Sequence, residues 1–198
     1  MTLIKSKGVP ASSKLKKLIF LQILNAIDTL HSQLHLAHLD LKLENLLLSS
    51  TNTILLCDFG FCAPLNIKLH ASQGTDGYKA PEVEEASMIK APYEPKAVDM
   101  FALGVLLFIV EFGSPPFRQA VQGDCLYRHW YKGPRCGLHF WKSHPSTAGL
   151  MAKDAISLEM IDLVNSMLNP NPKLRPQSIE EVRQNACFKV EGKNEVEY

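Results

Sequence analysis

What this 198-residue chain lacks narrows its function first. Its five cysteines, at positions 57, 62, 125, 136 and 187, contain no C-x-x-C pair. An odd count without such a pair argues against a disulfide framework and against a tetrahedral zinc site. Reduced thiols in a cytoplasmic protein are the expectation. The first residues do not follow the basic, apolar, small-residue order of a signal peptide. No apolar run reaches the roughly 20 residues needed to cross a bilayer. The most apolar one, Phe101 to Phe112, is shorter and is interrupted by Glu111. An excess of charge is missing too, since 21 Lys and Arg face 20 Asp and Glu, for a net +1. No global field therefore draws the chain to nucleic acid or to an anionic membrane. The densest basic cluster, Lys14, Lys16 and Lys17, reads as a solvated helix end. Internal repeats and low-complexity tracts are absent, and nothing marks a second domain.

What is present suits a folded, mainly helical unit. The hydrophobic fraction is 46% and the charged fraction 21%, both ordinary for a globular domain. A chain this long buries roughly 70% of its unfolded surface. Leu15, Leu18, Ile19, Ile23, Ala26, Ile27 and Leu30 form one helical stripe, with Ser13 as the expected N-cap. Lysines in the first turn oppose the helix dipole. Two short apolar runs around Asn52 and Thr53 predict a hairpin, with strands confined to residues 45 to 57. Between Gly60 and Pro92 the only regular feature expected is a turn of helix near Glu82; a loop this long is usually functional. Phe101 to Phe112 is apolar nearly all round and predicts a buried central helix, which GSPPF ends. Residues 114 to 157 hold both tryptophans and show no period; core packing is the expectation for both. Met160, Leu163, Val164, Met167 and Leu168 make another stripe. Ser178 and Glu181 form a capping-box signature. Residues 189 to 198 read as a polar, frayed tail.

The chemistry concentrates in HLDLKLENLLL, His38 to Leu48. Asp40, Lys42 and Asn45 fall within six positions, and Asp58 follows the second apolar run. Carboxylate and amide oxygens suit a hard cation such as Mg²⁺. A lysine supplies charge for a phosphate, and a second acid can take a proton from a hydroxyl. Taken alone, the stretch also reads as an alternating strand with a solvated polar face.

Order along the chain favours the first reading. HLDLKLEN resembles the catalytic loop of eukaryotic protein kinases, H-R-D-L-x-x-x-N. Asp58-Phe59-Gly60 is similar to their D-F-G, and GTDGYKAPE, Gly74 to Glu82, to their substrate-docking loop and A-P-E. DMFALG, Asp99 to Gly104, looks like the start of their central helix, and LRP at 174 to 176 like their late arginine motif. The resemblance implies a mainly α member of an α+β family. It corresponds to the kinase C-lobe, a helical bundle with a short β-hairpin carrying the catalytic loop and D-F-G. The expected domain is residues 1–188, C-lobe only, with 189–198 as tail.

The roles that follow are what the resemblance implies. Asp40 would orient the acceptor hydroxyl and take its proton, and Lys42 would neutralise the transferring phosphoryl group. Asn45 and Asp58 would hold Mg²⁺ on ATP. Glu44 would approach the ribose through its backbone, and Leu47 would floor the adenine. Lys42 and the G-T-x-x-Y pattern at Thr75 resemble serine/threonine rather than tyrosine kinases. Thr75 would dock on Asp40 and Lys42, and Asp99 would receive backbone hydrogen bonds from the catalytic loop. Glu82 and Arg175 would pair, while His38 and Phe59 would pack rather than react.

Departures from the pattern shape the functional expectation. The family arginine before the catalytic aspartate is Leu39 here, which weakens the case for activation by phosphate on the following segment. The usual proline after the lysine is Leu43. The glycine-rich loop, the V-A-I-K lysine and its glutamate partner have no place before His38, where Gly8 is the only glycine. The leading expectation is therefore a serine/threonine kinase catalytic fragment acting on a protein substrate, inactive without a first lobe. That lobe would come from a full-length form or from an N-lobe-bearing partner. The alternative is a non-catalytic, pseudokinase-like scaffold.

Overall fold

The computed structural model describes residues 2–3, 12–89, 91–132 and 137–188. β1 (Thr2–Leu3) is followed by α1 (Ser13–Asp28). Ser12, one residue earlier than expected, caps α1: its hydroxyl accepts from Leu15 N at 3.4 Å, because Ser13 already has helical geometry. Phe20, Ile23, Leu24 and Ile27 are its buried face. The helical form does not run on to Leu30. Residues Thr29–Gln33 widen into a π-turn that carries His31 inward.

β2 (Leu36–Ala37), β3 (Leu46–Leu48), β4 (Ile54–Leu56) and β5 (Ala63–Pro64) come next. β3 and β4 pair antiparallel, with Leu46 opposite Leu56 and Leu48 opposite Ile54. β1 pairs with the other side of β3, and β2 pairs with β5. Strands thus extend beyond residues 45 to 57. β1, β2 and β5 are two residues each, too short for an alternating pattern to mark them in sequence. Residues 38–42, read alternatively as a strand, form an irregular loop that ends in a 3₁₀ turn at Leu43–Asn45.

α2 (Pro81–Ile89) is a full helix where one turn was expected. α3 (Pro95–Phe112) starts on Pro95, whose missing N–H costs nothing at that position. It ends on Gly113, whose φ of 80° lets its N–H cap Ile109 O at 2.8 Å. Residues 98 to 110 of α3 are all buried. After it come a 3₁₀ turn (Tyr127–Lys132), α4 (Gly137–Ser143), α5 (Ala148–Met151), α6 (Leu158–Met167) and α7 (Ile179–Arg183).

The helices within 114 to 157 carry no readable period because aromatic contacts, not an apolar stripe, hold them. Phe117 packs edge-on to Tyr127, Trp130 lies 4.2 Å from Phe140, and Trp141 touches Phe108 and Phe112. Both tryptophans are buried. α7 is capped by Ser178, which accepts from Glu181 N at 3.1 Å. The Glu181 carboxylate reaches Gln177 N at 2.7 Å, one residue outside the expected capping box. Residues 189–198, expected as a polar tail, lie outside the described residues.

Two long-range joints organise the helices. Arg175, nearly fully buried, forks onto both Glu82 oxygens at 2.6 and 2.7 Å and donates to Ala97 O at 2.8 Å. Its guanidinium stacks 4.9 Å from the Phe101 ring. Such bidentate, charge-assisted contacts are strong, and removing one partner of a buried pair costs about 3–5 kcal/mol. The second joint is steric. A Cβ on Gly104 would stand 2.8 Å from Met167 Cβ and 3.0 Å from a Leu168 methyl. The Gly104→Ala variant is expected to unfold about 1–3 kcal/mol more easily, read as a lower urea midpoint; an unchanged midpoint would show that α6 shifts without cost.

Candidate active site

The site starts from Asp99, fully buried in the second turn of α3. Its Oδ2 accepts from His38 N at 2.7 Å and its Oδ1 from Leu39 N at 2.8 Å. His31 Nε2 makes a third contact, 2.8 Å from Oδ2. These bonds clamp the loop in an uncommon shape, with Leu39 at φ 66°. Leu39 itself is buried in the core. The loop leaves room for glycine alone opposite it: a Cβ on Gly74, at φ 95°, would meet Leu39 O at 2.8 Å.

Asp40 is thereby turned to a cluster of donors. Its Oδ2 accepts from Lys42 Nζ at 2.6 Å, and its Oδ1 from the Thr75 hydroxyl at 2.6 Å. Lys42 also donates to Thr75 Oγ1 at 2.8 Å. Asn45 Nδ2 donates to Asp40 O at 2.8 Å and approaches its carboxylate at 3.4 Å. Burial is the largest influence on the Asp40 carboxyl and raises its pKa. The hydrogen bonds from Lys42 and Thr75, with the lysine charge and Asn45, outweigh it and hold the carboxyl below its ordinary range. Asp40 is therefore a carboxylate at neutral pH, able to accept a proton.

Asp40, Lys42 and Asn45, proposed from sequence, are thus in direct contact. Asp58 is brought close through the backbone, since its neighbour Cys57 donates N–H to Asn45 O at 3.0 Å. It is exposed, at φ 64°. A Cβ on Gly60 would press to 3.3 Å of its Oδ1, so the glycine keeps that oxygen open. Glu44 is exposed on the 3₁₀ turn, and Leu47 lies on β3 opposite Leu55. His38 is committed structurally: its ring nitrogens contact Cys57 O at 3.1 Å and Asp40 N at 3.3 Å, and its ring lies 5.5 Å from Phe59.

The donor set fits a hard cation in one limited way. With Asn45 Nδ2 engaged on Asp40, the amide oxygen is the atom left to act as a ligand, alongside the Asp58 carboxylate. Among the described residues no group of three His, Cys, Asp or Glu could hold a metal. Two oxygens suit Mg²⁺, which takes one or two protein ligands and completes its shell with phosphate and water. Burial pushes the Tyr78 phenol up to about 12, so beside Leu43 it stays neutral.

His31 was not foreseen. The stripe was read as ending at Leu30, yet position 31 continues the four-residue row of Ile23 and Ile27 onto the buried face. A polar residue there was the available signal.

Comparison with known proteins decides the family. The family described as "Protein kinase domain" matches residues 1–188. The chain belongs to the protein kinase family. It is 43% identical over 115 residues to the mouse phosphorylase b kinase gamma catalytic chain, liver/testis isoform, covering 57% of this chain. It is 34% identical over 174 residues, 85% of this chain, to the human SNF-related serine/threonine-protein kinase. It is 37% identical over 159 residues, 78% of this chain, to Caenorhabditis elegans calcium/calmodulin-dependent protein kinase type II. These matches span 28% of the first relative and 20% of each of the others. The resemblance is to serine/threonine protein kinases. Among the described residues, no helix of this kinase-family chain is long and apolar enough to cross a membrane.

The electrostatics of Asp40 yield a prediction. Its folded pKa is depressed, so the stability it contributes is whole above the ordinary carboxylate range and fades as pH falls through the folded value. In Lys42→Met, burial loses its main counterweight, and the Asp40 midpoint should rise. Carboxyl ¹³C NMR titration reads this directly; an unmoved midpoint would mean that Lys42 does not set the charge state.

Proposed function

We propose that this chain carries the phosphoryl-transfer machinery of a serine/threonine protein kinase, which moves the γ-phosphoryl group of ATP to a Ser or Thr hydroxyl on a protein. The observation that carries the reading is the ionised Asp40 carboxylate, fixed by backbone clamping and facing Lys42 and Thr75. Asp40 positions the acceptor hydroxyl and takes its proton, while Lys42 offsets negative charge on the transferring group. Asn45 and Asp58 would hold Mg²⁺, which would supply charge neutralisation on the nucleotide phosphates. Glu44 and Leu47 line the nucleotide side, by a backbone approach to the ribose and an apolar floor respectively.

Phosphoryl transfer in this family also uses a lysine–glutamate pair and a glycine-rich loop. No counterpart can be assigned within these 198 residues. We therefore read the activity of this polypeptide by itself as trace, to be raised by a first lobe on the same or another chain. A second reading, a non-catalytic scaffold, draws on the exposed apolar side chains Leu55, Phe59 and Phe61 around the D-F-G stretch.

Radiolabelled ATP and a serine-containing acceptor peptide test both. The expected result is weak transfer above an Asp40→Asn blank, since loss of a general base typically lowers a rate by about 10²–10⁴-fold. Robust turnover by the purified 198 residues would sink the claim of trace activity. Transfer no greater than the blank, from a monodisperse protein, would put the scaffold first.

A further inference from the structure

Residues 64 to 79 deliver Thr75 to Asp40, yet they are exposed or half-buried throughout. A stretch with so little buried apolar surface belongs to the easily opened part of a structure unless something ties it down. Its middle is fastened to Tyr93, two residues before α3. Leu69 N donates to Tyr93 O at 3.1 Å and Tyr93 N returns a bond to Leu69 O at 2.9 Å, an isolated antiparallel bridge. The Tyr93 hydroxyl then reaches over to donate to Ala71 O at 2.7 Å. Tyr93 is 3% exposed, set into the core. Burial, and secondarily the charge of Glu82, raise the phenol above its ordinary range, so the hydroxyl keeps the proton it donates. The neighbouring Lys68–Glu94 pair, at 3.5 Å, is exposed and adds little.

Tyr93 is anchored independently of the segment it holds. Glu94 is the residue that leads into α3, Ala97 O accepts from Arg175, and Asp99 clamps the Asp40 loop. One short stretch of chain therefore carries the support for Asp40 and, through Tyr93, the support for residues 69 and 71. Two lysines beside Thr75 are already engaged, Lys42 with Asp40 at 2.6 Å and Lys79 with Asp76 at 2.8 Å. Position 39, beside Asp40, is a buried leucine. A phosphate on this segment would find no waiting cation at these positions.

We propose that Tyr93 is a positioning residue for the acceptor site: through its bridge to Leu69 and its hydroxyl on Ala71 it orders residues 69–75, presenting Thr75 to Asp40 without phosphate on the segment. The proposal rests on the reading of Asp40 as the group that handles the acceptor hydroxyl.

Amide hydrogen exchange on the unphosphorylated 198-residue chain tests it, comparing wild type with Tyr93→Phe. Phenylalanine keeps the buried ring and removes only the bond to Ala71. Exchange across residues 69–75 should quicken about fivefold, the equivalent of one net hydrogen bond, while the interior of α3 is unchanged. In the transfer assay, the peptide concentration for half-maximal rate should rise by a similar factor, with the dependence on ATP unaltered. In wild type alone, the Tyr93 hydroxyl proton should give a slowly exchanging NMR resonance, a readout that needs no variant. Equal exchange in the two proteins overturns the proposal, as does acceleration spread equally through α3 or an absent hydroxyl resonance. Protection of 69–75 that arises only after phosphorylation overturns it as well. If wild type transfers no phosphate, the kinase reading fails, and the exchange and hydroxyl results still decide the role of Tyr93.

Discussion

A buried carboxylate with three donors holds this structure's chemistry together. Asp99 sits in the buried stretch of a helix whose neighbouring residues from 100 to 110 are all apolar, where an uncompensated charge would cost several kcal/mol. The His38 and Leu39 amides and the His31 ring compensate it, and in doing so they dictate the path of the chain on either side. Leu39 is held in a left-handed backbone while its own amide and that of His38 are claimed by the same carboxylate. The next residue, Asp40, then has a single orientation. Gly74 follows from the same constraint, since the Leu39 carbonyl leaves no space for a side chain opposite.

The beginning of α3 is where the separate parts of the fold meet. Arg175 brings α2 and the segment after α6 to Ala97 O, Asp99 brings in the loop after β2, and Tyr93 brings in residues 69 and 71. Each joint uses hydrogen bonds to backbone atoms, which fix position rather than merely proximity. The apolar remainder of α3 supplies the rigidity, with Gly104 setting how closely α6 can approach. The electrostatic state of Asp40 is a further product of this geometry. Burial alone would favour its protonation, and only the convergence of Lys42, Thr75 and Asn45 reverses that.

Legibility in the sequence varied with the kind of interaction. Motif order and spacing were enough to place the chain in the protein kinase family, and the family match over residues 1–188 agrees. The stripes of α1 and α6 and the apolar length of α3 were plain, because a helix packed on one face or buried on all of them leaves a periodic or continuous record. The elements between 114 and 157 left none. Their stability comes from Phe108, Phe117, Tyr127, Trp130, Phe140 and Trp141 meeting across turns, and aromatic packing has no sequence period. The two-residue strands were invisible for a related reason, as pairing partners and not their own residues define them. His31 went unread because its partner is 68 positions away.

The sequence by itself determined the family, the chemistry-bearing residue types and the order in which they occur, since these depend on identity and spacing along one chain. The tertiary structure alone decided that Asp40 is ionised despite its burial and that Leu39 turns left-handed beneath Gly74. It also decided that His31 completes the Asp99 clamp and that Tyr93 fastens the segment leading to Thr75. Each of these is a balance between desolvation and hydrogen bonds from groups far apart in the chain, and that balance exists only once folding has brought them within about 3 Å of one another.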